Sequence, residues 1–321
     1  MDPPRSTAGA PLDGLLELVQ GLKRSLVERR EAPRGSWVEE VAEDLRAGRR
    51  VGWYYPPSNG GGLTFYAARG ADAFGHVHVE PGPDREPQAM ALSAALLDAL
   101  PPTLQTIDVG FTGLDRDTER RLLDRLSSRP GSTIIEREAL ERPIGPEDGG
   151  PAESIPAGLV RVPLTDVTVD ALADLDQRAF AGTVDELLVG RGFEDHRRVM
   201  EALLSGSLGA FLGEASCALV ESEVPRLAAV FLAAEESPRR AILLSFMVDP
   251  AHRRKGLGRH LMRWGLRALW ALGYSSVHLW VTLANAPARA LYAALGFRPF
   301  AFATIYRWER VGAAPQPHSD R

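Results

Sequence analysis

The stretch VDPAHRRKGLGRHLMRWGL, Val248 to Leu266, places three cationic side chains and two glycines within six residues, between an apolar run and an amphipathic one. Upstream, AILLSFMV (residues 241–248) has the apolar composition of a buried strand, which Pro250 ends. Downstream, LGRHLMRWGLRALWALG repeats its leucines at helical spacing. A strand that turns straight into a helix aims the unpaired N–H groups of the helix's first turn outward, and such a turn binds anions. Gly256 and Gly258 let the backbone come close to a phosphate, while Arg253, Arg254, Lys255 and Arg259 neutralise it; the planar guanidinium suits paired phosphate oxygens. Two glycines alone would also serve a plain turn. Here charge, glycine and position coincide.

Around this turn the C-terminal half reads as an ordered series. GLVRVPL is a strand, VDALADLDQRAF and FEDHRRVMEALLSG are helices, and SCALVES, RLAAVFLAA and AILLSFMV are three strands at hairpin spacing. The helix at Leu257 follows, then strand SVHLWVT, helix APARALYAALG and a closing pair of strands around FRPF and FATIYRWE. The N-terminal half repeats the order with strands VGWYYPP, GLTFYAA and FGHVHVE, helix PQAMALSAALLDAL, strand TIDVGF, helix DTERRLLDRL and strand STIIEREA. A shift of 169 residues carries Pro81 onto Pro250, Val109 onto His278 and Asp117 onto Ala286, so an internal duplication is the economical reading. Proline and glycine cluster between Glu141 and Gly158 as a linker. The expected division is a tail and amphipathic helix over 1–35, with residues 1 to about 10 lacking structure, a first domain over 36–145, a linker over 146–157, a second domain over 158–310 and a disordered tail over 311–321.

Bulk properties agree with two ordinary domains: 321 residues, 45% of them apolar, exceed what one core usually organises. The net charge of −5 offers no global field for nucleic acid, so the basic cluster is a local feature. Only Lys23 and Lys255 are lysines among the basic residues, which fits codon bias better than chemistry. The single cysteine, Cys217, excludes an internal disulfide and any cysteine-based zinc site; it sits in a strand-like run where a thiol packs as a small core residue. No His, Asp and Glu spacing suggests a metal. The N-terminus lacks the basic region of a secretion signal and no apolar run reaches membrane-spanning length, so a cytoplasmic protein without a membrane partner is expected, as monomer or homodimer.

The pattern Arg253-x-x-Gly256-x-Gly258 after a strand resembles the acyl-CoA pyrophosphate loop of the GNAT superfamily of N-acetyltransferases, and NAPARALYAALGF, Asn285 to Phe297, resembles its second signature. The resemblance covers residues 158 to 310 and implies an α+β fold: two tandem GNAT-like domains, each a mixed, largely antiparallel sheet with a splayed strand pair and flanking helices. The paired layout further resembles tandem GNAT proteins such as the mycothiol synthases, in which the C-terminal copy works. In the N-terminal copy the corresponding turn is EPGPDREPQAM, where Glu80, Asp84 and Glu86 replace the cations and Pro83 and Pro87 remove N–H donors. That copy reads as degenerate, a structural or acceptor-shaping domain.

An amine attacking a thioester needs a neutral nitrogen, a polarised carbonyl and a proton for the departing thiolate. The resemblance implies direct attack on acetyl-CoA, with backbone groups of Phe246, Met247 and Val248 facing the pantetheine arm, Leu257 among the loop residues, and Tyr292 as the proton donor. Packing on the helix face beside Leu291 and Leu295 is the plainer role for Tyr292. Asn285 is a natural N-cap, to which the resemblance adds a contact to the cofactor. The general base is unassigned, because the strand entering the loop carries only Ser245 among apolar residues. Thr183, Asp185 and Glu186 stand in the segment that walls the acceptor pocket in this superfamily, and Glu214 stands at a strand entry; each is a candidate to orient a cationic amine, and each is equally at home as a helix-start or turn residue. His278 offers a relay or simple packing. The resulting expectation is an acetyl-CoA-dependent N-acetyltransferase for a small-molecule amine. The alternatives are a mycothiol synthase-like acceptor, protein N-termini or lysines, or a non-catalytic acyl-CoA sensor.

Overall fold

The computed structural model describes residues 2–28, 37–150, 154–190, 192–206, 209–224 and 226–311. By packing, the chain divides into two compact units, residues 1–137 with 302–321, and residues 138–301.

The first unit contains β1 (Arg5–Ser6), α1 (Leu12–Glu28), α2 (Trp37–Arg46), β2 (Val51–Tyr55), β3 (Gly62–Arg69), β4 (Asp72–Val79), α3 (Arg85–Asp98), β5 (Thr106–Thr112), α4 (Arg116–Leu126) and the start of β6 (Ser132–Pro143). Alternation along β2 sets the two layers. Tyr54 joins Leu15, Leu18, Leu22 and Val41 of α1 and α2 on one face, and Tyr55 joins Leu92 and Leu96 of α3 on the other. Residues expected to lack structure at the N-terminus are ordered: β1 pairs with β2, and Thr7 donates its hydroxyl to the Gly52 carbonyl at 3.1 Å. A backbone that finds strand partners satisfies its polar groups and has no reason to stay loose.

The second unit contains the end of β6, β7 (Leu159–Pro163), α5 (Val169–Phe180), α6 (Glu186–Val189), α7 (Phe193–Leu204), β8 (Ala210–Phe211), β9 (Cys217–Glu221), β10 (Leu227–Ser237), β11 (Arg240–Val248), α8 (Leu257–Ala271), β12 (Ser276–Thr282), α9 (Ala286–Ala294) and the start of β13 (Arg298–Glu309). Its strands run in the order β7-β9-β10-β11-β12, antiparallel except for the parallel β11 and β12. Val230 and Leu232 of β10 pack on the α5 and α7 side, Ala229 and Phe231 on the α8 side. The closing segment is one 12-residue strand, β13, where a pair was expected. From Phe302 onward it belongs to the first unit, where Ile305 to Glu309 pair antiparallel with β5.

One irregularity positions the site. In β10 and β11 the register runs Ala229↔Val248 to Leu232↔Ser245, then resumes at Ala233↔Leu243, which leaves Leu244 as an extra residue on β11. A bulge of one residue inverts the faces beyond it. Leu243 accordingly packs on the α8 side, Leu244 and Met247 on the α5 and α7 side, and Phe246 and Val248 again on the α8 side. Just before the bulge the pairing of β11 with β12 ends, at Ile242↔His278. From there to Val248 the β12-facing edge of β11 has no strand partner among the described residues, and its amides and carbonyls line an open wedge.

The first unit carries the same element order without this wedge. β3 and β4 pair from Gly62↔Val79 to Arg69↔Asp72 with no register shift, and β4 and β5 stay paired from Asp72↔Thr106 to His78↔Thr112. The closed end is so tight that a Cβ on Gly113 would lie 1.7 Å from the Val79 carbonyl oxygen. The duplication expected from sequence needs a one-residue correction. β5 and β12 show the same succession of buried positions, and the N-caps Asp115 and Asn285 coincide, at a shift of 170, so Val109 matches Leu279 rather than His278, and Asp117 matches Pro287 rather than Ala286. The turns flanking the intervening helix differ in length, so a single constant shift does not hold.

The stretch expected as a linker is partly ordered, with Pro146–Gly149 a short 3-10 turn in which Asp148 binds Arg142 at 2.8 Å. Residues 151–153, the tail beyond Val311, and part of the segment before Trp37 lie outside the described residues.

Candidate acyl-CoA and acceptor site

The basic turn is braced from beneath. Buried Asp249 accepts from the Ala251 N–H at 2.9 Å and pairs with Arg178 of α5 at 2.8 Å and Arg226 at 3.3 Å. Burial works against its charge, but these donors prevail and hold the carboxyl below its usual range. His252 meets Glu221 of β9 at 3.1 Å. The four expected phosphate cations then divide into two pairs. Arg253 donates to the Val248 carbonyl at 3.1 Å and to the Ala179 carbonyl at 2.5 Å, closing the C-terminal end of α5, and Lys255 donates to the Ala251 carbonyl at 2.9 Å. Arg254 and Arg259 are exposed and have no hydrogen bond or ion pair among the described residues. Arg254 also holds a left-handed φ of 63°, a conformation that costs a non-glycine residue energy and marks a turn held in place by its surroundings. Gly256, the N-cap of α8, has φ 81° and open space around it. The first-turn amides of Leu257, Gly258 and Arg259 therefore point outward from the end of a 15-residue helix. A Cβ on Gly258 would touch Leu291 at 3.4 Å and the Phe246 ring at 3.7 Å.

At the other side of the wedge stands Tyr292, 7% exposed, on α9. Its ring lies edge-on to Phe246 at 6.4 Å and tilted against Phe297 at 5.7 Å. Burial, and secondarily the charge of Asp185, push its phenol well above the ordinary tyrosine range, so it keeps its proton. Asn285 is the N-cap of α9, accepting from the Ala288 N–H at 3.2 Å. Arg289 on the first turn of α9 reaches buried Glu138 at 2.5 Å, anchoring the helix to β6.

The acceptor candidates do not stay together. Asp185 accepts from the Asn285 amide at 2.6 Å and from the Thr282 hydroxyl at the end of β12. Thr183 is turned back onto its own segment, donating to the Phe180 carbonyl at 2.7 Å and accepting from the Asp185 N–H at 3.3 Å. Glu186 begins the four-residue α6, and Glu214 is exposed on a 3-10 turn before β9. His278 is buried as the last residue of β12 paired with β11, with its ring against Phe300 at 5.9 Å and Nδ1 3.5 Å from Glu236. Burial pushes the Cys217 thiol up to about 12, which leaves it without thiolate character. Sequence reasoning missed Thr282 and the bulge at Leu244. A threonine closing a strand and an unbroken apolar run carry no local signal of either role.

The profile of the Acetyltransferase (GNAT) family matches residues 174–297, a span that holds the wedge, the basic turn and α9. These residues form a GNAT acetyltransferase domain. A mycothiol acetyltransferase from Clavibacter michiganensis subsp. michiganensis (strain NCPPB 382) is 34% identical over 153 residues, which are 48% of this chain and 47% of that protein. Among solved structures, a GCN5-related N-acetyltransferase from Sphaerobacter thermophilus superposes with a TM-score of 0.61 at 14% identity over 94% of both chains. A tandem GNAT protein from the clavulanic acid biosynthesis pathway superposes with a TM-score of 0.53 at 17% identity, over 91% of this chain and 95% of that one. Both likenesses are of fold alone, over 94% and 91% of this chain, and the second is to a tandem GNAT protein. Among the described residues, no three His, Cys, Asp or Glu side chains group as a metal site requires, and no helix is long and apolar enough to cross a membrane.

Proposed function

We propose that this protein is an acetyl-CoA-dependent N-acetyltransferase in which the GNAT domain transfers the acetyl group directly to a primary amine of a small molecule. The observation that carries this reading is the wedge beyond Ile242↔His278, with two arginines unpaired among the described residues and the α8 N-terminus at one end, and the buried, protonated Tyr292 beside it. The diphosphate of the donor is held by the α8 amides, Arg254 and Arg259, and the pantetheine arm adds itself along the free edge of Phe246, Met247 and Val248. A Val248 N–H polarises the thioester carbonyl. The amine nitrogen bonds to the carbonyl carbon, the carbon–sulfur bond breaks, and Tyr292 protonates the thiolate as it leaves.

Arg254→Glu tests the donor half, because its side chain is exposed and makes no hydrogen bond or ion pair among the described residues, so its loss is expected to spare the fold. We expect acetyl-CoA affinity in calorimetry to fall about 10- to 100-fold, the worth of a hydrogen bond to a charged group. Unchanged affinity would remove the basis of the reading. A second reading, in which the acceptor is a cysteinyl amine of the mycothiol type, draws its support from the mycothiol acetyltransferase relative. Thiol release from acetyl-CoA with such an amine separates it from other small amines, and binding without any turnover would identify an acyl-CoA sensor.

A further inference from the structure

From Asp185's place beside the wedge, with only neutral donors on its carboxylate among the described residues, we infer that it holds the ammonium group of the acceptor. This rests on the acetyl-transfer reading above and names the group that recognises the second substrate.

The argument begins with charge. Three buried or half-buried carboxylates elsewhere in this unit are matched by arginines: Asp249 by Arg178 and Arg226, Glu138 by Arg289, and Asp148 by Arg142. Asp185 is half-buried and has no cation among the described residues. Its two oxygens are instead pinned by the Thr282 hydroxyl and the Asn285 amide. Each carboxylate oxygen offers two lone-pair directions, so one direction on each remains open. A fixed negative charge, partly withdrawn from water and left uncompensated, is a binding site for a cation.

Position supplies the second step. β11 and β12 part at Ile242↔His278, and four residues further along β12 is Thr282. The same distance along β11, allowing for the bulge, reaches Phe246 and Met247. Asp185 therefore stands across the wedge from the edge that receives the thioester, close enough to Tyr292 for its charge to act on the phenol. An ammonium seated there turns its nitrogen, the atom that bonds to the thioester carbonyl carbon, toward that edge. Of the two protons the ammonium gives up, one goes to water by way of the Asp185 carboxylate, and the other balances the proton that Tyr292 donates to the departing sulfur. The bound cation also offsets the negative charge that holds the phenol's proton, so acceptor binding eases donation by Tyr292. The other candidates lack this fixation, since Thr183 is spent on its own segment and Glu214 stands exposed on the turn before β9.

Asp185→Asn is the informative change, because an amide can still accept from Asn285 and donate to the Thr282 hydroxyl while losing the charge. With the full chain, thiol release from acetyl-CoA is measured against ethanolamine, glucosamine, putrescine and lysine methyl ester, with release in the absence of amine subtracted. For the best of these amines we expect Asp185→Asn to raise KM at least 10-fold, Asp185→Glu to restore part of it, and acetyl-CoA affinity to stay within twofold of wild type. An unchanged KM would overturn the assignment alone. So would a loss of acetyl-CoA affinity or of thermal stability with KM intact, which would make Asp185 a latch for its loop. Absence of amine-stimulated release in the wild type would overturn the acetyl-transfer reading, and this inference with it.

Discussion

At the scale of single residues, Tyr292 carries the sharpest expectation. A phenol surrounded by Phe246 and Phe297 and repelled by Asp185 is a poor place for a phenolate, so the protonated form persists above the ordinary tyrosine pKa. The sign matters: a raised pKa preserves a donor, where a lowered one would have produced a base. Tyr292→Phe removes the proton and keeps the ring. We expect kcat to fall about 10²- to 10⁴-fold, the usual worth of a positioned general acid, with acetyl-CoA affinity and melting temperature unchanged. Since the phenol does not titrate in the working range, the shape of the pH profile stays the same in the variant. A profile whose alkaline limb disappears with the hydroxyl would assign that limb to Tyr292 and contradict the raised pKa. The resemblance pointed to this tyrosine through the signature NAPARALYAALGF. Its environment was not readable, because Phe246 lies far away in sequence and Asp185 farther still, and no spacing rule links them.

Among the elements, α8 does most to shape the site, and its approach to the sheet is set by Gly265. A Cβ there would lie 2.3 Å from two atoms of the Phe231 ring, which is fully buried and edge-on to both Phe246 and Trp264 at 6.4 Å. A shift of the ring would disturb its packing on both of these neighbours. Gly265→Ala should destabilise the fold by about 1–3 kcal/mol, the typical cost of overpacking, read as a lowered thermal midpoint. Replacing Phe231 by Leu in the same background should recover part of the loss, and a pair of additive penalties would show that the two groups do not collide. The helix itself was plain in the leucine spacing, and so were most strands and helices, since their signals are local periodicities. What escaped was whatever depends on a partner. The bulge at Leu244 hides in an unbroken apolar run, and β13 reads as two strands because Pro299 and alternating small residues imitate a break that its neighbours override.

For the molecule as a whole, the question raised by the proposed function is how many acyl donors the chain would bind. The acidic turn at Glu80 argued from sequence against a second site, and the strands supply an independent reason. In the first unit β4 and β5 remain zipped to His78↔Thr112, so among the described residues no edge opens between these two strands to take a pantetheine arm. Glu80 is folded inward onto His78 at 3.3 Å and Arg24 at 3.6 Å, and Glu86 is held by Arg121, which leaves the start of α3 flanked by carboxylates. Opening the pair would break several ladder hydrogen bonds at about 0.5–1.5 kcal/mol each, with no cationic turn to offset the cost. We therefore expect calorimetry to give one acetyl-CoA per chain, and Arg254→Glu to weaken that single site without uncovering another. A stoichiometry of two, or a residual site that survives Arg254→Glu at wild-type affinity, would mean that the first unit opens to its ligand. The zipped strands would then describe a resting state, and the N-terminal copy would count as a second donor site.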